Sequence, residues 1–511
     1  MSGENVSILN LPPGLHHDGT QYATGNKWFD GNQVRWYRQL LAPVGGWVQT
    51  HVFSAATQPI RDMFSWRDHL KEAWGAAGSS DKLFSFKVVG PSQYTVRNIT
   101  PAGLAWSLSG ISGYGRSGYG QGAYGKDHTA GLDSTGLWSM DNFGSLLVAV
   151  HSQDGRLFSY NPATPAVVAA PVLNAPIDNT LVIATEEEFL LVLGGENNPR
   201  RVKWCSQRNI TDWTPTQTNS AGGFDLQSDG MIVAAIRVPG GVLVLTDTDV
   251  HMIEYTGPPY FYGRRQITDR SGCLSKNSIA GFPRGAMWAG ISNFWLYDGA
   301  VTPIDCTVHS KVFYDSNLSL SSRLHMVNNE FAQEIWFSYP SKSANEADRY
   351  ALMSFSQVPY WSLGDIPRTA WLNPVWTDKP LACNGNIMYE HEEGWTANGV
   401  SRNGVVFAES GALELSEGDV VSRCDRIYPD FTDIEGVAIP PETPIASLLF
   451  KLRQAPNAPQ RTYGPVSLTS PKGYSNIRFR ARQIIMRVNQ EVDSFWIVGK
   501  LRMRVKAGGR R

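Results

Sequence analysis

At 511 residues the chain exceeds what one ordinary hydrophobic core holds, so a closed ring of repeats or two to three structural units is expected. Its 49 Gly, 30 Pro and 11% aromatic residues, with only 18% charged residues, argue against long amphipathic helices and for many short strands joined by tight turns. Forty-five basic against 46 acidic side chains leave a formal charge of -1, which excludes the overall basic field of a free nucleic-acid-binding protein.

The first ten residues lack the charged-then-apolar pattern of a secretory signal, and no stretch approaches 18 consecutive apolar residues. A soluble protein made in the cytoplasm, with no stable membrane insertion, is expected. Cys205, Cys273, Cys306, Cys383 and Cys424 are odd in number and widely separated, so they read as buried thiols and not as a disulfide framework or a metal knuckle.

In chain order, KWFDGNQVRWYRQLLAPVGGW comes first, with a strand-like VRWYR framed by Asp30-Gly31 and Gly45-Gly46. A lone ribbon is marginal, so residues 1–50 are expected to pair with the C-terminal region or to close a ring. A short strand with a bulky centre then recurs: LFSFK, LFSYN, VKWCS, HMIEY, FWLYDG, ALMSF and IMYEH. With Phe84, Phe158, Trp204, Ile253, Trp295, Met353 and Met388 as landmarks, the spacings are 74, 46, 49, 42, 58 and 35 residues. Most lie near the roughly 40–50 residues of a four-stranded propeller blade.

Several units carry a partner strand: LLVAVHSQDGRLFSY, FLLVLGGENNPRRVKW, VLVLTDTDVHMIEY and AMWAGISNFWLYDG each read strand, turn, strand. A hairpin cannot bury both its faces alone, and repeated copies are best stabilised by radial stacking. The expectation is an all-β chain with a six- or seven-bladed β-propeller over residues 51–400; a pair of irregular β-sandwiches is the other reading of the same pattern. The 74-residue interval contains GYGRSGYGQGAYG, residues 113–125, a candidate mobile loop displaying Tyr114, Tyr119 and Tyr124.

Past residue 400 the landmark stops, and Pro-rich connections lead into a C-terminal β domain, residues 401–511, which the N-terminal segment is expected to join. Arg478, Arg480 and Arg482 alternate, as do Arg502, Arg504 and Lys506, so each trio is expected on one strand face. From residue 478 onward ten Lys and Arg stand against Glu491 and Asp493, a net +8 that makes these faces candidate partner-docking or channel surfaces.

No Gly-x-Ser-x-Gly elbow and no HExxH occur, and the GxGxxG match at residues 113–118 lies outside any βαβ unit. The run Glu186 to Glu188 reads as a solvated turn. No catalytic, cofactor-binding or metal-ligating residue is assigned, no cofactor is expected, and a non-enzymatic role is anticipated.

The runs EEEFLLVLGGENNPRRVKWCSQRNITDW, LTDTDVHMIEYTGPPYFYG, FWLYDGAVTPIDCTVHSKVF and NEADRYALMSF, with WFDGNQVRW near the start and WIVGKLRMRVKAGGRR at the end, carry a resemblance. In that order they resemble the packaged-DNA stabilisation proteins that form the tail nozzle of short-tailed bacteriophages. The Gly/Tyr tract departs from that pattern. The resemblance implies a hexameric ring of copies of the chain, placed in the virion tail after assembly in the host cytoplasm. It also implies docking below the portal adaptor (the head-to-tail connector), contact with tail fibres or tailspikes, and non-specific passage of double-stranded DNA through the lumen. The alternative is a propeller that binds or cleaves glycans, in a phage tail or a bacterial host.

Overall fold

The structure is a computed structural model that describes residues 5–107, 135–355, 359–415, 420–432, 445–455, 458–468 and 473–507. Tyr114, Tyr119 and Tyr124 of the expected mobile loop lie outside the described residues.

Seven four-stranded antiparallel sheets follow one another along the chain. Blade 1 comprises Ile60–Arg67, Ala73–Ser79, Leu83–Gly90 and Gln93–Asn98, and blade 2 comprises Trp138–Phe143, Leu146–His151, Leu157–Tyr160 and Ala170–Pro171. Blade 3 runs from Leu181–Ala184 to Gly222–Asp225, blade 4 from Ile232–Val238 to Phe261–Thr268, and blade 5 from Ile279–Phe282 to Val301–Pro303. Blade 6 runs from His325–Asn329 to Trp361–Asp365. Blade 7 takes Ala370–Leu372, Leu381–Asn384 and Ile387–His391 from this end of the propeller and its fourth strand, Trp47–Val52, from the N-terminal segment. The first strands of the seven blades touch in cyclic order, and that of blade 7 returns to that of blade 1. The chain is therefore a closed seven-bladed β-propeller, which settles the blade number left at six or seven.

Each of the seven landmark residues sits in the third strand of its blade. Third strands are sandwiched between a second and a fourth strand and between neighbouring blades, so they require bulky apolar centres and repeat most legibly. The 58-residue interval is long because the helix His309–Asp315 and the 3-10 turn Leu318–Arg323 separate blades 5 and 6. The boundary drawn after residue 50 cuts through a strand, since Trp47–Val52 belongs to the propeller.

Both chain ends build the second β unit. One sheet orders Asn5–Leu9, Leu501–Ala507, Ser422–Tyr428 and Ser475–Ala481. A second orders Trp28–Asn32, Phe407–Ser410, Gln483–Gln490, Ala446–Arg453 and Arg461–Ser467, and a small third joins Val34–Tyr37 and Leu40–Pro43 to Ile497–Val498 and Phe431–Thr432. The inner faces of the first two contribute Cys424, Ile427, Phe479 and Met503 opposite Leu448, Phe450, Met486 and Val488 to one core. That core runs on into blades 5 and 6 through Phe294, Phe337 and Trp361, so the second unit is fused to the propeller by continuous apolar packing. All five cysteines are buried free thiols.

Gly46 shows why the link between the units is a Gly-Gly pair. A Cβ there would lie 2.5 Å from the Thr396 carbonyl oxygen, so only glycine lets the chain turn into blade 7 at this depth.

Candidate basic docking face

Alternation along Leu501–Ala507 buries Leu501, Met503 and Val505 and turns Arg502, Arg504 and Lys506 outward. Along Ser475–Ala481 the same rule buries Ile477, Phe479 and Ala481 and exposes Arg478 and Arg480. These two strands flank Ser422–Tyr428 in one sheet, which brings the two basic runs, distant in sequence, onto one outer face.

The intervening strand adds two bases that the sequence reading missed. Arg423 pairs across the ladder with Lys506 on one side and Arg480 on the other, and Arg426 pairs with Arg504. Their alternation was hidden by a bulge: the register shifts between Cys424 and Arg426, so Asp425 is an extra residue and Arg426 regains the outer face. Reading SRCDRIY as basic at every second position fails by one residue for this reason.

Arg482 corrects the expectation. The strand ends at Ala481, and Arg482 occupies the bend leading into the second sheet, where its N–H donates to the Arg453 carbonyl and its carbonyl accepts from Leu415 N–H. Its side chain is half-buried, away from the row formed by Arg478 and Arg480.

The outer face therefore carries Arg423, Arg426, Arg478, Arg480, Arg502, Arg504 and Lys506 around one carboxylate among the described residues, Asp425. Arg504 Nη2 donates to Asp425 Oδ2 at 2.8 Å, and Lys506 Nζ lies 3.9 Å from the same oxygen. The hydrogen bonds and charge of Arg504 hold the Asp425 carboxyl below its usual range. Arg426 stacks 4.5 Å over the Tyr474 ring, which also meets Tyr428. Arg423, Arg478, Arg480 and Arg502 make no ion pair among the described residues. A sheet face of seven cations and one anion has the charge to attract carboxylate or phosphate groups, and the preponderance of Arg favours bidentate contacts.

The other chemistry-bearing place is the propeller axis, a cavity of about 500 Å³ lined by Asp62, Asp141, Arg237, Lys276 and His325 among others. Lys276, at the entry to blade 5, reaches Asp62 of blade 1 at 2.5 Å and also donates to the Trp138 carbonyl of blade 2. Asp62 further accepts from Asn277 Nδ2 at 2.7 Å and Trp138 N–H at 2.7 Å. Burial pushes the Asp141 carboxyl up, against the pull of Arg237. Raised carboxyls are what a propeller glycosidase needs, yet Asp141 accepts from both Arg237 Nη atoms at 3.1 Å and from Ala184 N–H at 2.8 Å. These acids tie neighbouring blades together, and the ties span the axis. Among the described residues no group of three His, Cys, Asp or Glu is placed to hold a metal ion, and no helix is long and apolar enough to cross a membrane.

The other singled-out residues are framework. Glu186 to Glu188 form the turn between the first two strands of blade 3, and Asp154 pairs with Arg156 in the blade 2 turn at 2.6 Å.

No protein-family model matches the chain, and no curated protein sequence matches it. Among solved structures it is similar to the Pan2 WD40 domain of Neurospora crassa, at 7% identity and a TM-score of 0.38, over 67% of this chain and 95% of that one. It is similar also to YCF48 from Cyanidioschyzon merolae, at 6% identity and a TM-score of 0.39, over 68% and 98% of the two chains.

Proposed function

We propose that the chain is a structural subunit of the tail nozzle of a short-tailed bacteriophage, docking below the portal adaptor, retaining packaged DNA and forming the conduit for its ejection. The ordered resemblance along the sequence supplies the family. The observation that carries the reading is the basic outer face of the sheet made from both chain ends, a surface suited to an acidic docking partner. The ties across the propeller axis support it too: Lys276 bridges blades 5, 1 and 2, and in this reading the lumen lies between subunits and not along the axis of one. A ring of heterologous contacts, with the hexamer that the resemblance implies, supplies such a lumen. In this reading the chain is not an enzyme, and its partners are copies of itself, the adaptor, tail fibres or tailspikes, and DNA in passage.

Electron microscopy of particles from a strain lacking the gene tests this. The expected particles lose DNA from filled heads and lack the lower tail. Intact tails that retain DNA and fail only in adsorption would overturn it and favour the glycan-binding alternative.

A further inference from the structure

The sheet that carries the basic face ends on an unpaired strand. Asn5–Leu9 is bonded to Leu501–Ala507 along one side, and no strand among the described residues pairs with its other side. An edge strand presents alternate N–H and C=O groups outward, a template for another strand. Proteins commonly blunt such edges with charge or proline; here the outward side chains are Val6 and Ile8, 50% and 57% exposed. They lie directly opposite Arg504 and Arg502, so apolar and cationic side chains share one surface.

From this juxtaposition we infer that the free edge of Asn5–Leu9 accepts an extended acidic segment of another protein as a fifth strand. Main-chain bonds to the edge hold the segment, its outward side chains lie on Val6 and Ile8, and its carboxylates reach Arg502 and Arg504 across them. The inference rests on the docking reading above and specifies how the docking occurs.

Two other occupants fit less well. A second copy pairing edge to edge would bring two basic faces alongside each other, which like-charge repulsion opposes. A nucleic acid would use the arginines but has no use for an open peptide edge or for exposed Val6 and Ile8.

The probe is a fluorescein-labelled octapeptide alternating threonine and glutamate, titrated against the full chain by fluorescence polarisation. A peptide N-methylated at alternate residues, unable to pair along an edge, and a short DNA duplex serve as comparisons. The expected result is saturable binding weakened about tenfold or more by N-methylation, by Ile8→Glu and by Arg502→Glu. Both substitutions are at exposed positions, and unchanged melting shows that the variants fold. Equal binding of the N-methylated peptide, absence of binding, or displacement of the peptide by duplex DNA at lower concentration overturns the inference. Particles that lose their tails when the gene is absent, together with a peptide that does not bind, would leave the nozzle reading standing and remove only this mode of docking.

Discussion

Arg35 and Glu334, 299 positions apart in sequence, meet at 3.1 Å in the seam between the second β unit and blade 6, where both are buried. The same guanidinium makes bonds of 2.6 and 2.9 Å to Glu392, just past the third strand of blade 7. Glu334 is held further by Trp336 Nε1 at 2.9 Å and the Tyr360 hydroxyl at 3.1 Å. Burial opposes the charge on Arg35, but the two carboxylates outweigh it and raise its pKa further.

Removing this cation leaves two buried carboxylates with one fewer counter-charge. Arg35→Met is therefore expected to cost about 3–5 kcal/mol, the range for breaking a buried pair from one side. Urea unfolding of the variant against the parent measures it, and an unchanged midpoint would contradict the seam as described.

Trp47 opens the strand that completes blade 7; its ring stacks on His391 at 5.5 Å and lies 4.9 Å from the Arg368 guanidinium. Trp47→Ala removes a large buried side chain and the cover over a buried arginine, with an expected loss of about 3 kcal/mol or more. Hydrogen exchange should report the loss first along Ile387–His391, since its fourth-strand neighbour is released. Uniform acceleration over all blades would mean that ring closure does not depend on this strand.

Lys276→Met cuts the tie across the propeller axis while leaving Asp62 its bonds from Asn277 and Trp138. The expected cost is about 1–3 kcal/mol, that of a buried carboxylate losing one charged partner while keeping two hydrogen bonds. Thermal melting decides it; a gain in stability would show that burying the ammonium costs more than its contacts return.

His325 lines the axial cavity with its Nε2 buried and without a hydrogen-bond partner among the described residues, and burial lowers its pKa to about 4. The folded value lies below the unfolded one, so the unfolded chain binds the proton first. The stabilisation is complete above about pH 6.5 and is lost as pH falls towards 4, by at most about 3 kcal/mol. His325→Gln should flatten this part of the stability profile in urea titrations between pH 7 and 4, and an equally steep profile in the variant would rule His325 out as the source.

On the basic face, the triple charge reversal Arg478→Glu, Arg480→Glu and Arg502→Glu should change stability by about 0.5 kcal/mol or less, because these are exposed side chains without ion pairs among the described residues. Tail assembly in infected cells should nevertheless fail. Arg504→Ala differs, since it also strips Asp425 of its hydrogen-bonded guanidinium, leaving Lys506 at 3.9 Å, and is expected to cost up to about 1 kcal/mol. Normal assembly by the triple variant would remove the docking role.

What the sequence determined by itself was local. Strand alternation, turn residues and the bulky centres of third strands depend on neighbours a few positions away, so the propeller, its hairpins and the outward rows of Arg478 with Arg480 and of Arg502, Arg504 and Lys506 were all legible. Tertiary structure decided the rest. Blade 7 borrows Trp47–Val52 from the far end of the chain, a pairing set by which edges remain open when the ring closes. Arg482 leaves the row because the chain bends to change sheets, and Arg426 joins it because the bulge at Asp425 shifts the alternation by one. The basic trios become one face only because Ser422–Tyr428 lies between their strands, and no local pattern encodes which strand becomes another's neighbour.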